Sequence, residues 1–140
     1  MASVLLAPVA ALLVIAVVAA VLRLQRSSQH RLVGRQAPLA RGAPADILYF
    51  TGENCTICHV AQRPALHRLH ETLPDLQVTE IDVAADPEAA RAYRVMALPT
   101  TVILDRTGRV SALNAGFAGE TILRTQVEAA RAGSAREEMA

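Results

Sequence analysis

Two cysteines, Cys55 and Cys58, are the residues best suited to covalent chemistry in this chain of 140 residues. Two residues, Thr56 and Ile57, separate them. The pair follows an apolar run that is typical of a strand, and it stands at the start of a predicted helix. Because a helix N-terminus stabilises a thiolate, Cys55 is the predicted nucleophile. Cys58 lies one helical turn later and is the predicted resolving thiol. The spacing therefore predicts a redox-active dithiol that exchanges disulfides.

The residue after the pair, His59, leaves other interpretations open. Cys55 to His59 is literally the Cys-x-x-Cys-His signature of c-type haem attachment, with His59 as axial ligand and Met96 as a candidate second ligand. In the dithiol interpretation, a protonated His59 would instead lower the pKa of a neighbouring thiol.

Zinc is the third interpretation of the same cysteines. Its candidate ligands are Cys55, Cys58, His67 and His70. The spacing to His67 is short for a zinc finger, and both histidines fall on the helix that Cys58 opens. We therefore predict no metal and no cofactor beyond the disulfide.

The elements around the cysteines alternate between strands and helices. Strands are predicted at 47–51, 76–83, 100–104 and 110–115, and helices at 56–73, 87–94 and 120–132. The residues expected to face the core from the first and last of these helices are Val60, Leu66, Leu69, Leu73, Ile122, Leu123 and Val127. A crossover followed by a hairpin predicts an α/β domain with a four-stranded mixed sheet and helices on its faces.

With these elements in place, the chain resembles the thioredoxin family over residues 45–132, and most of all the membrane-anchored thioredoxin-like proteins of bacteria. The resemblance is carried by strand–Cys55-x-x-Cys58–helix and by Leu98-Pro99-Thr100 at the start of a strand. It implies a trimmed thioredoxin-like fold in which Pro99 is cis and lies against the cysteine pair. It also implies that Leu98, Pro99 and Thr100 position the substrate chain.

The chain departs from the family pattern near the cysteines. Asn54 replaces the usual Trp, and Thr56-Ile57 replaces the usual Gly-Pro between the cysteines. Tyr49 stands where the family has a buried Asp, and Glu80 aligns with the Lys that partners it. We therefore consider Glu80 a candidate for the missing base, with a role in proton transfer or in tuning the thiol pKa.

The N-terminal region has a different composition. Residues 2–24 contain an almost wholly apolar run, which predicts a transmembrane anchor; a cleaved signal peptide is the alternative. Five arginines lie in residues 1–45 with no acidic residue before Asp46, so the positive-inside rule predicts a single-pass protein with a cytoplasmic domain. Residues 25–44 are predicted as a basic Pro/Gly linker, 45–132 as the thioredoxin-like domain and 133–140 as a flexible tail.

Together these features predict a membrane-anchored thiol–disulfide oxidoreductase. Its predicted partners are protein disulfide substrates, an unidentified electron donor and membrane lipid. Nucleic acid is not expected, because 14 basic side chains are balanced by 13 acidic ones. A non-catalytic thioredoxin-fold adaptor and a haem-carrying electron carrier are the alternatives.

Overall fold

In the computed structural model, residues 2–37 and 46–138 are described. The elements in chain order are helix α1 (Ala2–His30), strand β1 (Ile47–Thr51), a π-helical turn (Cys58–Gln62), helix α2 (Arg63–Thr72), strand β2 (Val78–Asp82), helix α3 (Pro87–Ala92), strands β3 (Thr100–Leu104) and β4 (Val110–Ala115), and helix α4 (Glu120–Glu138).

The four strands form one mixed sheet in the order β2-β1-β3-β4. β1 is parallel to β2 and antiparallel to β3, and β3 and β4 form an antiparallel hairpin. This arrangement is the four-stranded mixed sheet that the sequence predicts. It places β1 in the centre of the sheet, so the loop after β1 is supported by paired strands on both sides.

β1 is buried along its whole length because both faces of the sheet are covered. Ile47 and Tyr49 point to the face that α2 and α4 cover, which we call the α2/α4 face. Leu48 and Phe50 point to the opposite face, the α3 face, where the Phe50 ring lies 5.4 Å from that of Tyr93. The alternation follows from the two-residue period of a strand.

The connections carry clear local signals. The Asp86 side chain accepts a hydrogen bond from the Ala89 N–H at the start of α3, where Pro87 takes the first helical position. In the β3–β4 hairpin, the Asp105 carboxylate accepts hydrogen bonds from Thr107 and Arg109. Gly108 has φ +78°, a conformation that glycine adopts without a steric cost.

The last helix differs in two respects from the prediction. α4 continues to Glu138, beyond its predicted end at 132. Leu123 and Val127 are fully buried as expected, but Ile122 is 53% exposed. Consecutive residues of a helix point about 100° apart, and Ile122 lies outside the face that Leu123 and Val127 turn toward the sheet.

α4 is tied to the start of β1 by a charged contact. Arg131 donates to both Asp46 oxygens, at 3.2 and 2.8 Å, and to Asp75 at 3.0 Å. The Arg131 and Asp46 side chains are only 20% and 18% exposed, and the Asp46 partner raises the pKa of Arg131. This contact attaches the C-terminal half of α4 to the residue that precedes β1.

The segment after α1 packs on the domain. The Gly34 N–H donates to the Val110 carbonyl, the Val110 N–H donates to the Arg35 carbonyl, and Leu32 is buried. Residues 38–45, which make up much of the predicted linker and the predicted start of the domain, lie outside the described residues, as do 139 and 140 of the predicted tail.

The prediction of a membrane anchor is contradicted. Across residues 2–37 and 46–138, the structure has no helix with the length and apolar character needed to cross a bilayer. The predicted single-pass topology is therefore wrong, and the cytoplasmic location, which was inferred from that topology, loses its basis.

Candidate functional site

Cys55 and Cys58 form a disulfide at the end of β1. The S–S distance is 2.08 Å and the Cα atoms are 5.3 Å apart. Cys55 is partly exposed, whereas Cys58 is fully buried against the α2/α4 face. The two sulfurs are thus unequal: an incoming reactant reaches Cys55 first.

Cys55 occupies the N-cap position of the helix that follows. Its carbonyl accepts from the His59 N–H, and its Sγ accepts from the Cys58 N–H at 3.2 Å. A sulfur in this position receives one of the free N–H groups that begin every helix. Because a thiolate accepts this bond more strongly than a thiol, the geometry favours the ionised form of Cys55 after reduction.

The helix is wider than an α-helix directly after Cys58. In the π turn (Cys58–Gln62), the Arg63 N–H donates to the Cys58 carbonyl, five residues back rather than four. A π turn accommodates one extra residue in a helix. It also lies just before Pro64, which has no N–H to give to the preceding turn.

The π turn changes which side chains face the core. Val60 was predicted to face inward, but it is 66% exposed. Gln62 is fully buried instead, beside Leu66 and Leu69. The extra residue rotates the helix face by about one residue, which simple 3.6-residue periodicity does not anticipate.

Gln62 joins the π turn to the loop before α4. Its Nε2 donates to the Ala118 carbonyl at 3.0 Å, and its Oε1 accepts from the Ala118 N–H at 2.9 Å. The side-chain amide therefore pairs with both backbone groups of one buried residue. This double hydrogen bond, the Gln62–Ala118 clamp, fixes the position of the π turn.

Tyr49 lies beneath the disulfide on the α2/α4 face. It is 1% exposed, and its hydroxyl donates to the Cys58 carbonyl at 3.0 Å. Burial is the main reason that the pKa of Tyr49 is raised above 10.0; the charge of Glu80 raises this pKa further, while Thr51 and Arg63 lower it. The hydroxyl therefore stays protonated and able to donate at ordinary pH.

Glu80 lies opposite Tyr49 in the parallel register of β1 and β2. Its carboxylate accepts a hydrogen bond from Arg63 at the start of α2, and its side chain is 45% exposed. Glu80 is thus on the side of the sheet that carries the disulfide, at the edge of the site. Its role in proton transfer stays a prediction.

His59 uses both ring nitrogens for hydrogen bonds. Arg63 can only donate, so Nδ1 accepts from its guanidinium at 3.3 Å, and Nε2 donates to the Glu53 carbonyl at 3.0 Å. The imidazole therefore bridges the loop before Cys55 and the start of α2. The predicted effect of His59 on a thiol pKa is not tested by these contacts.

The segment 98–100 lies beside the disulfide loop. The Leu98–Pro99 peptide bond is cis, the Pro99 carbonyl accepts from the Gly116 N–H at 2.7 Å, and Thr100 is fully buried. A β-carbon at Gly52 would lie only 3.1 Å from Leu98 Cδ1, so glycine permits this close approach. The substrate-positioning role of Leu98, Pro99 and Thr100 stays a prediction.

The zinc and haem interpretations find no further support in the geometry. Over the part of the chain that the structure describes, no three His, Cys, Asp or Glu side chains converge as metal ligands do. His67 pairs with Glu71 at 3.4 Å. Met96, the candidate second haem ligand, is 65% exposed.

Three residues at the π turn (Cys58–Gln62) were not predicted as site residues. Tyr49 was considered only as the residue that replaces the buried Asp of the family. A tyrosine in a buried strand needs a hydrogen-bond partner for its hydroxyl, and this need could have indicated a role at the site. Gln62 carried the same kind of signal, since a polar amide two residues before a helix proline lies within an otherwise apolar face. Arg63 is the third, and its sequence position gives no comparable indication.

An N-capping cysteine bonded to a buried cysteine three residues later, on a mixed sheet with helices on both faces, defines a dithiol–disulfide protein of the α/β class. The chain belongs to the thioredoxin family, since the thioredoxin family model matches residues 37–128. A search of curated proteins finds no match.

Solved structures of a thio-disulfide isomerase and of thioredoxins are similar to this chain. A thio-disulfide isomerase from Thermus thermophilus is 26% identical with a TM-score of 0.55, over 67% of this chain and 83% of that one. A Fasciola hepatica thioredoxin is 28% identical with a TM-score of 0.54, over 61% and 79%. The oxidized mitochondrial thioredoxin 3 of Saccharomyces cerevisiae is 26% identical with a TM-score of 0.53, over 61% and 79%.

The Gln62–Ala118 clamp predicts a large loss of stability for Gln62→Leu. Leucine has a similar size but leaves a buried N–H and a buried C=O of Ala118 unpaired, at about 1–3 kcal/mol for each such group. We expect a fall of about 2–4 kcal/mol in the free energy of unfolding, measured in urea with the disulfide intact. Gln77→Leu, at an exposed position, is the matched control and should change stability by less than about 0.5 kcal/mol. Equal effects of the two substitutions would contradict the importance of the clamp.

Proposed function

We propose that this protein is a thiol–disulfide oxidoreductase that reduces or exchanges disulfides of protein substrates. The observation that carries the proposal is the inequality of the two sulfurs: Cys55 is partly exposed at a helix N-cap, and Cys58 is fully buried one turn later. Membership of the thioredoxin family supports the same chemistry. Membrane lipid is not part of the proposal.

The proposed reaction has two exchange steps. The Cys55 thiolate attacks one sulfur of a substrate disulfide; the substrate S–S bond breaks, a mixed disulfide forms, and one substrate thiolate leaves. The Cys58 thiolate then attacks Cys55 Sγ, the mixed disulfide breaks, and the second substrate thiolate leaves. The two substrate thiolates take up protons from water. Two electrons pass from Cys55 and Cys58 to the substrate.

The cycle needs a reductant to regenerate the dithiol. A dithiol reductant would repeat the same exchange in reverse, attacking the Cys55–Cys58 disulfide at the more exposed sulfur. We propose that substrate and reductant use the same entrance, since Cys58 is closed to solvent. In the opposite direction, the same disulfide would oxidise a substrate dithiol.

The two exchange steps predict different effects for the two cysteines. Cys58→Ser removes the resolving thiol, so mixed disulfides through Cys55 should accumulate at least tenfold over wild type when the reduced protein meets oxidised protein substrates. Mass spectrometry after alkylation measures the adducts, which dithiothreitol should release. Cys55→Ser is the control and should trap far less, because Cys58 is buried. Equal trapping by the two variants, or none by Cys58→Ser, would rule out the assignment and favour a non-catalytic adaptor.

Glu80 is our proposed proton acceptor for Cys58 during the second step. Its position on the α2/α4 side of β2, opposite Tyr49, supports this role. Burial raises the cost of ionising a cysteine, so a carboxylate at the edge of the site would speed the loss of the Cys58 proton.

Glu80→Gln tests this role with little change in shape. We expect the resolution of a preformed mixed disulfide to slow about threefold to tenfold, within the range of a modest general-base effect. Glu71→Gln is the matched control, because it removes another exposed carboxylate, which contacts His67, from the same side of the domain and should leave the rate unchanged. Stopped-flow alkylation of the released thiol gives the rates. An unchanged or faster rate in Glu80→Gln would end the proposal for this residue.

A further inference from the structure

The hydroxyl of Tyr49 is placed under the disulfide by a rigid element. β1 is one of the two inner strands of the sheet and is paired on both sides, so the phenol has little freedom to move. The ring is 1% exposed, and its hydroxyl donates to the Cys58 carbonyl at 3.0 Å. The hydrogen bond therefore connects the centre of the sheet to the main chain of the buried cysteine.

The Cys58 carbonyl accepts two hydrogen bonds at once. The second comes from the Arg63 N–H through the π turn. A carbonyl oxygen has two lone pairs, so both are used. In the π turn the helical hydrogen bond to this carbonyl comes from five residues later, not four. The Tyr49 hydroxyl belongs to the sheet, so it gives the Cys58 carbonyl a hydrogen bond that does not depend on the helix.

From these contacts we propose that Tyr49 is a positioning residue of the redox site: its hydroxyl holds Cys58 where the disulfide closes, and so favours the disulfide form. The inference rests on the proposed function, since it concerns the resolving step of the same reaction. It does not make Tyr49 a proton donor or acceptor. In that step Cys58 Sγ bonds to Cys55 Sγ and a substrate thiolate leaves, while the phenol keeps its proton.

The direction of the effect follows from linkage. The disulfide and the Tyr49 hydrogen bond both fix Cys58, so each must favour the other by the same factor. Reduction of the disulfide removes one constraint on the π turn. The Tyr49 hydrogen bond therefore stabilises the dithiol form less than it stabilises the disulfide form. Closure within one chain also depends on how well the reacting groups are held near each other. Removing the hydroxyl should therefore weaken the disulfide relative to the dithiol.

The test compares the full chain with Tyr49→Phe and Tyr93→Phe. Each protein is equilibrated with graded thiol–disulfide buffers, and its redox state is read by alkylation and mass. Tyr93 is the matched control because it is also 1% exposed but packs on the α3 face, away from the disulfide. Both variants keep the ring and lose only an oxygen, so a general effect of removing a buried hydroxyl appears in both.

We expect the equilibrium constant for disulfide closure to fall about threefold to tenfold in Tyr49→Phe, which is a rise in reduction potential of about 14–30 mV. In Tyr93→Phe it should stay within about twofold of wild type, which is a change below about 10 mV. Resolution of a mixed disulfide should also slow in Tyr49→Phe alone. A potential for Tyr49→Phe that matches wild type, or a shift of the same size in both variants, would overturn the inference and leave the proposed function intact. A wild-type protein without a reversible couple would overturn both.

A second variant keeps the test decisive if Tyr49→Phe does not fold. The chain has two tyrosines, so 3-fluorotyrosine in the Tyr93→Phe background replaces Tyr49 alone. Fluorine makes the phenol a stronger hydrogen-bond donor while the hydroxyl remains. The expected shift is then of opposite sign, toward a lower potential, and a shift in the other direction would overturn the inference.

Discussion

The redox site depends on the π turn in the helix after β1, which holds one residue more than an α-helical turn between Cys58 and Pro64. The chain absorbs the extra residue as a π turn, in which the Cys58 carbonyl accepts from the Arg63 N–H. An α-helical turn would use the N–H of Gln62 for that bond. The wider turn leaves room for the Tyr49 hydroxyl at the same carbonyl and rotates Gln62 into the core.

These consequences support one another. Gln62 pairs with Ala118, which attaches the π turn to the loop before α4; that loop also contains Gly116, whose N–H donates to Pro99. The buried cysteine is thereby linked to the cis-proline segment through hydrogen bonds as well as through packing. Buried polar groups that are all paired specify one arrangement, because losing any one of them leaves its partner unsatisfied. Cys55, which is partly exposed, is joined to this hydrogen-bonded region through its disulfide with Cys58.

Much of the fold could be predicted from the sequence because its strands are short, apolar and bounded by clear turn residues. β1, β3 and β4 lie where the pattern predicted them, and Asp86 caps α3 as expected. The orientation of the helix that follows Cys55 was predicted incorrectly at Val60, since a π turn has no signature in hydrophobic periodicity. The membrane anchor was predicted from composition, and the described residues contradict it. At the site, the Cys55–Cys58 spacing indicated the chemistry, but the contacts of Tyr49 and Gln62 depend on tertiary packing that one sequence does not reveal.

The most direct test of the account is a redox titration of the full chain against graded thiol–disulfide buffers, with the state of Cys55 and Cys58 read by alkylation and mass. The account predicts one reversible two-electron couple, with a potential between about −270 mV, typical of a reductant like thioredoxin, and about −120 mV, typical of a strong oxidant. A pair that shows no reversible couple in this range would contradict it, because the arrangement of the two sulfurs would then serve structure and not exchange.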